Sequence, residues 1–419
     1  QYYGCLRQTR LAGPFLHREW ADLQLPLDRN KNMKMPISKS QRGFSLLEML
    51  VASAIGLIAI MAMTQLFNMG MNATLTVTQR ADTQENMRAG IELMTKDISM
   101  AGAGLPSGGL QLANADGSSR LACNQTGTCY VTADTYPVSG SGVANYMYGI
   151  LPGFGNGVQA SAIIAAAPAA VNDSITTIYC DYNFPLTNFA FTFPSGTQAT
   201  VGAAGTIVAG EPTNILAPGG LNVGDLMLFT VSTPGTGKTA QGTSYAQTAA
   251  AVGEITGIPN NTTINFAGAD ALNFNQTGAN SLASVAAAVL AAGATTSACR
   301  LYAVTYFLEI PAAGGTVQTP RLMRQVNGLT AVPVADNIIN LQFSYDVINN
   351  TLGTISANQS NPIGAGLSPA LIQKVNIWVM GESVTQAGKK SQSMYLASSV
   401  STRNMSFCNS YSDQTTACQ

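Results

Sequence analysis

Apolar positions are spread unevenly along this chain, and their longest run lies near its amino-terminal end. From Phe44 to Gln79 the only ionisable side chain is Glu48, and Met49–Met63 holds nothing but apolar or small residues. Counted from Phe44 to Phe67, about 24 residues at ~1.5 Å each give ~36 Å, enough to cross a hydrocarbon core of ~30 Å. A transmembrane helix is therefore expected over 44–72. After Asn68 the chain turns polar, with no Pro before Pro106, and the pattern becomes a stripe. Met87, Ile91, Met94 and Ile98 recur at steps of 4, 3 and 4, so they share one helix face. This predicts an amphipathic stem over 73–104 that ends at Ala101-Gly102-Ala103-Gly104, where glycine supplies the stop signal. One helix from Phe44 to Ala101 would be ~87 Å long. Its stripe is expected to face a head and hold it on the stem.

Beyond residue 105 the period shifts to two. Ser174–Tyr179 is β-branched, and Asp225–Val231 follows a Gly-Asp turn. Leu301–Ile310 places Tyr302, Val304, Tyr306, Leu308 and Ile310 on one face. Asn337–Val347 sets Ile339, Leu341, Phe343, Tyr345 and Val347 against Asn340, Gln342, Ser344 and Asp346. Leu371–Met380 puts Val375, Ile377 and Val379 together. These are patterns of half-buried antiparallel strands, with the aromatic stripes as sheet core. Residues 105–170 read mainly as loops with short strands, and Ser281–Ala292 as a short Ala-rich helix. The Ala/Gly/Thr/Asn-rich stretch of about 186–296 reads as an inserted subdomain or as elaborated loops. The expected class is α+β: a long amino-terminal helix packed on an antiparallel β-sheet head, 105–419, with disulfides.

Length and charge narrow the function. A chain of 419 residues can bury a sizeable core. A formal net charge of -1 with 10% charged residues excludes a nucleic-acid binder, which needs a basic patch to neutralise phosphates. Cys5 precedes the apolar run, whereas Cys123, Cys129, Cys180, Cys299, Cys408 and Cys418 follow it. Six cysteines on one side of a membrane segment point to an oxidising compartment. Proximity suggests Cys123–Cys129 and Cys408–Cys418, leaving Cys180–Cys299; free buried thiols are the alternative.

Residues 1–43 read as a cytoplasmic leader. The chain begins with Gln, so Met33 or Met35 is expected as the start, with 1–32 an upstream reading or non-structural extension; a real cytoplasmic tail is the alternative. Lys34, Lys39 and Arg42 hold the leader inside by the positive-inside bias. An ordinary secretory signal carries its small residues after the apolar region. Here Gly43 comes before it, so a cut after Gly43 would leave the helix on the mature chain. An acid at the centre of a membrane helix costs ~2.5–3.5 kcal/mol and needs a partner. The cut supplies one: the new ammonium of Phe44 lies four residues before Glu48, on the same helix face. The positive end of the helix dipole favours the acid as well.

The stretch GFSLLEMLVASAIGL resembles the class III signal of type IV prepilins and pseudopilins. That resemblance implies cleavage by a prepilin peptidase between Gly43 and Phe44, methylation of Phe44 and an assembly role for Glu48. IELMTKDISMAGAGL resembles the stem end of PilW-like minor pilins, with Asp97, Ala101 and Gly102 matching an Asp-x-x-x-Ala-Gly pattern. In the head, a Tyr302-x-Val304-x-Tyr306 strand, then PRLMRQVNG, NIINLQFSYDV, LIQKVNIWVMGES and Arg403-Asn404, is similar to PilW-like heads. The resemblance covers leader, stem and about half of the head, and leaves about 186–296 unmatched. It implies a minor pilin that helps initiate or cap a type IV pilus, partnered by other minor pilins, the major pilin and the inner-membrane assembly platform. The location implied is the inner membrane, head in the periplasm, then the extracellular fibre. A type II secretion pseudopilin of the J kind and a tip adhesin or ligand-binding head are the alternatives.

No enzyme is expected. The single histidine is His17, so a chain cut after Gly43 lacks Ser-His and Cys-His catalysis and a His-ligated zinc. Pro234–Thr239 resembles the end of a P-loop, but Ser232 stands where the first glycine belongs, so a turn is expected. Asp173, Asp181, Asp225 and Asp270 lie at expected loops and read as turn-forming residues, with Ca²⁺ binding as the alternative. No metal or cofactor is expected.

Overall fold

The apolar run and the polar stretch behind it form one helix, α1 (Leu46–Met100). The computed structural model describes residues 43–106, 109–113, 146–153, 172–181, 189–204, 212–234, 245–290, 293–309, 319–349, 352–362, 367–383, 392–402 and 404–405. Residues 1–42 with Cys5, residues 235–244, and Cys123, Cys129, Arg403, Cys408 and Cys418 lie outside them. The chain divides into two units between Met69 and Gly70. In the first, α1 is apolar all round and exposed all round, with Leu47, Leu57 and Phe67 more than half exposed. Such a surface suits hydrocarbon or other helices rather than water.

The second unit holds the rest of α1 and the head. The buried positions of α1 are Thr83, Met87, Gly90, Met94, Asp97 and Ile98. Ile91, expected on the innermost line, is only half-buried. Gly90 takes that line, where the helix lies close to the strands that carry Leu322 and Ala335: a Cβ would meet Leu322 Cδ2 at 2.9 Å and Ala335 Cβ at 3.4 Å. The helix ends where glycine lets it. Gly102 has φ +78° and its N–H donates to the Ile178 carbonyl at 2.9 Å.

The strands follow in order: β1 (Leu110–Gln111), β2 (Tyr146–Met147), β3 (Ile150–Gly153), β4 (Ser174–Cys180), β5 (Phe189–Ser195), β6 (Gln198–Ala204), β7 (Leu226–Pro234), β8 (Tyr245–Glu254), β9 (Gly257–Asn260) and β10 (Thr263–Asn265). A short helix α2 (Leu282–Val289) precedes β11 (Thr295–Glu309), β12 (Arg321–Val326), β13 (Val332–Asp336), β14 (Ile338–Asn349), β15 (Thr354–Gln359), β16 (Ile372–Glu382) and β17 (Ser393–Ser401). Rather than a single sheet, the described head has four, all antiparallel. They are β1-β2; β5-β6-β10-β9; a seven-stranded sheet running β13-β12-β11-β4-β3 with β7 and β8 added; and β15-β14-β16-β17.

β11 organises the largest sheet. Leu301 pairs with Cys180 on one edge and Leu226 on the other, so β7 and then β12 follow each other along one edge while β4 takes the opposite one. The expected half-buried strand is in fact buried on both faces from Val304 to Leu308. Val304, Tyr306 and Leu308 join Met87, Met94 and Ile98 in one core, whereas Phe307 packs with Met323 on the other side. β14 departs from simple alternation at its start. A bulge between Ile338 and Asn340 turns Ile338 inward and leaves Ile339 half-buried, after which Leu341, Phe343, Tyr345 and Val347 face the core as expected. Within about 186–296, β5, β6, β9, β10 and α2 build a small subdomain, and the core there is shared with β7 and β8 around Phe229 and Phe266.

Candidate functional site: the signal segment and the stem socket

Ser45 caps the amino-terminal end of α1. Its Oγ accepts the N–H groups of Leu47 at 3.2 Å and Glu48 at 3.4 Å. In return Glu48 Oε2 accepts the Ser45 N–H at 3.0 Å. The pair is a capping box, which satisfies helix-end donors that otherwise have no partner. It fixes the Glu48 carboxylate at the first turn, beside the Gly43–Phe44 junction, while Phe44 itself is 87% exposed. Spacing alone brought Phe44 and Glu48 to one face; the role of Ser45 was missed, although Ser-x-x-Glu before an apolar run carries it.

A second polar site lies at the far end of α1. Asp97 is buried on the stripe that faces the head. Its Oδ1 accepts the Tyr179 hydroxyl at 2.9 Å, and its Oδ2 accepts the Tyr306 hydroxyl at 2.5 Å and Arg324 Nε at 2.8 Å. The donors come from β4, β11 and β12. Tyr306 and Arg324 are directly opposite across their strand pair, so the register aims both at the helix. Burial, then the neighbouring carboxylate, raises both phenols well above their ordinary range, so both remain donors. Burial works against the charge on Arg324, but Asp97 outweighs it and raises that group as well. Just beyond, Cys180 N–H donates to Ala103 O at 2.8 Å, which ties the end of the stem into β4.

Cys180 and Cys299 form a disulfide, with their Cα atoms 5.6 Å apart. It stands where the chain leaves β4 and returns on β11, at the neck of the inserted stretch. Asp181, next along, accepts Arg300 Nε at 2.9 Å, and its N–H donates to the Arg300 carbonyl at 2.7 Å. Asp225 sits 3.8 Å from the same guanidinium, and burial raises its pKa. The four aspartates expected in turns are therefore buried. Asp181 and Asp225 surround Arg300, and Asp173 accepts the Phe343 N–H at 2.9 Å. Asp270 and Asp225 keep turn roles, Asp270 accepting the N–H groups of Phe274 and Asn275, and Asp225 that of Asn222 at 2.9 Å. Short-range sequence could not show this, because Arg300 lies 119 residues from Asp181.

Residues 38–64 match the family described as the prokaryotic N-terminal methylation motif. The matched segment contains Gly43, Phe44, Ser45 and Glu48. It supports a type IV pilin-like protein, and with the apolar amino-terminal helix it fits a single-pass membrane anchor. No curated protein and no solved structure matches the chain.

Proposed function

We propose that this chain is a minor pilin of PilW type that helps initiate or cap a type IV pilus. The observation that carries the reading is the methylation motif, whose junction and lone acid open a fully exposed apolar helix. A prepilin peptidase would cut between Gly43 and Phe44 and methylate the new terminus. The capping box already holds Glu48 at that end of the helix, where an ammonium from an adjacent subunit can neutralise it. That pairing would set helix register as the chain joins other minor pilins, the major pilin and the assembly platform. The head, a non-enzymatic module in this reading, would face the periplasm before passing into the extracellular fibre. Amino-terminal sequencing of membrane-purified protein should read a chain beginning at methylated Phe44. An intact Gly43–Phe44 bond would sink the proposal. Glu48→Ala should leave membrane insertion unchanged and reduce recovery in sheared filaments.

A further inference from the structure

The outer face of the β14–β16–β17 sheet has a composition that the core does not require. Paired residues on antiparallel strands point to the same side. Gln342 pairs with Trp378 and Trp378 with Ala397; Ser344 pairs with Asn376 and Asn376 with Ser399. Their strand neighbours Phe343, Val375, Ile377 and Val379 are buried in the core, so these two rows face outward. Together with Asn358 from β15 they line a groove of 830 Å³, within the range of ligand pockets.

The groove has an apolar end and a polar floor. The Trp378 indole lies nearly parallel to the Tyr395 ring, at 25° and 6.2 Å between centroids. Tyr395 is 70% exposed, and Ala397 opposite the indole is too small to cover it. On the floor, Asn376 Nδ2 donates to Ser344 Oγ at 3.3 Å, Asp346 Oδ1 at 3.2 Å and Asn358 Oδ1 at 3.2 Å. These bonds fix the amide before any ligand arrives, which lowers the cost of ordering it on binding.

Charge narrows the occupant. Among the described residues no Lys or Arg lines the groove, and the one acid among them, Asp173, is buried with its carboxylate on the Phe343 N–H. Just beyond, Lys374 and Asp346 neutralise each other at 2.6 Å. Among the described residues a polyanion finds no cation here, and a basic peptide finds no free anion. What fits is a neutral molecule with a flat apolar face and a rim of hydroxyl groups that both donate and accept. Aromatic rings supply flat area with little rotamer entropy to lose, and amides and hydroxyls answer a polyol in both senses.

We infer that this groove binds a neutral oligosaccharide. Trp378 in the groove stacks against the sugar ring, and Tyr395, which lies beside the indole just outside the groove lining, extends that flat surface; Gln342, Asn376 and Ser399 hydrogen-bond the sugar hydroxyls. The inference rests on the head alone and stands independently of how the chain assembles.

The full-length protein, purified in a detergent without a sugar headgroup, is tested by saturation-transfer NMR and calorimetry. The probes are maltohexaose, cellohexaose, N-acetylchitohexaose and a sulfated heparin hexasaccharide. At least one neutral hexasaccharide should bind with a dissociation constant of about 1 mM or tighter, and Tyr395→Ala should weaken it about tenfold. Tyr395 is exposed, so its thermal midpoint should match the parent and separate lost binding from lost folding. Trp378→Phe, which keeps a ring, should retain part of the affinity. Failure of every neutral probe, preference for the sulfated one, or binding unchanged in Tyr395→Ala would overturn the assignment.

Discussion

Asp97 is a charge that the fold keeps by surrounding it with three donors. Removing it as Asp97→Ala strands two phenol hydroxyls and the Arg324 guanidinium in a mostly buried place. Breaking such a pair costs about 3–5 kcal/mol, so the urea midpoint should fall sharply, whereas Tyr306→Phe should cost about 1 kcal/mol. In the sequence, Asp97 stands out as an acid set between Met94 and Ile98 on an apolar stripe and as the first residue of the Asp-x-x-x-Ala-Gly resemblance, but neither shows what it binds. Its partners lie 82, 209 and 227 residues away, beyond any periodicity. Glu254 gives a test of opposite sign. It is buried, and burial first, with the Asp270 carboxyl beside it, pushes its pKa up to about 7. The folded state then keeps a proton that the unfolded state gives up near the ordinary value of 4.5. Its contribution therefore makes stability fall as pH rises through that window and leaves it low above about 7. Urea midpoints taken at about pH 5 and about pH 8 should show a smaller drop for Glu254→Gln than for the parent. Equal drops would show that Glu254 does not hold the proton.

At the level of elements, the period was a sound guide where one face is solvent. It placed β16 with Val375, Ile377 and Val379 inward, and it placed α1 and its glycine stop. It misjudged β11, whose two faces are both covered, and the start of β14, where one bulge shifts the alternation. Neither a second covering layer nor an extra residue in a ladder leaves a signal in period two. Close approach is equally silent. Gly90 lets α1 reach Leu322, and Gly381 on β16 would place a Cβ 2.9 Å from both Met87 Sδ and Thr83 Cγ2. Gly90→Leu overpacks that contact and should cost about 1–3 kcal/mol, read as a lower thermal midpoint with α1 helicity retained in far-UV circular dichroism. Ser45→Ala should cost about 1 kcal/mol of helix stability at the other end, measured by amide exchange of the first turn in detergent.

Across the whole molecule, the sequence outlined a long apolar helix followed by antiparallel strands, whereas the division of the described head into separate sheets depends on long-range pairing. The Cys180–Cys299 bridge closes a separation of 119 residues around the inserted stretch. Replacing both cysteines with alanine should cost about 2–5 kcal/mol, measured as a fall in urea midpoint, with the buried Asp181–Arg300 pair still closing the neck. The stem socket has a mechanical meaning of its own. Tyr179, Tyr306 and Arg324 grip one carboxylate from three neighbouring strands, and the turn at Ala103 is bonded into β4. The three strands close on that one carboxylate from different positions in the sheet, so no single strand carries the attachment alone. It is a rivet set at the end of a longer apolar seam, in which Met87, Met94 and Ile98 also hold the stem to the head.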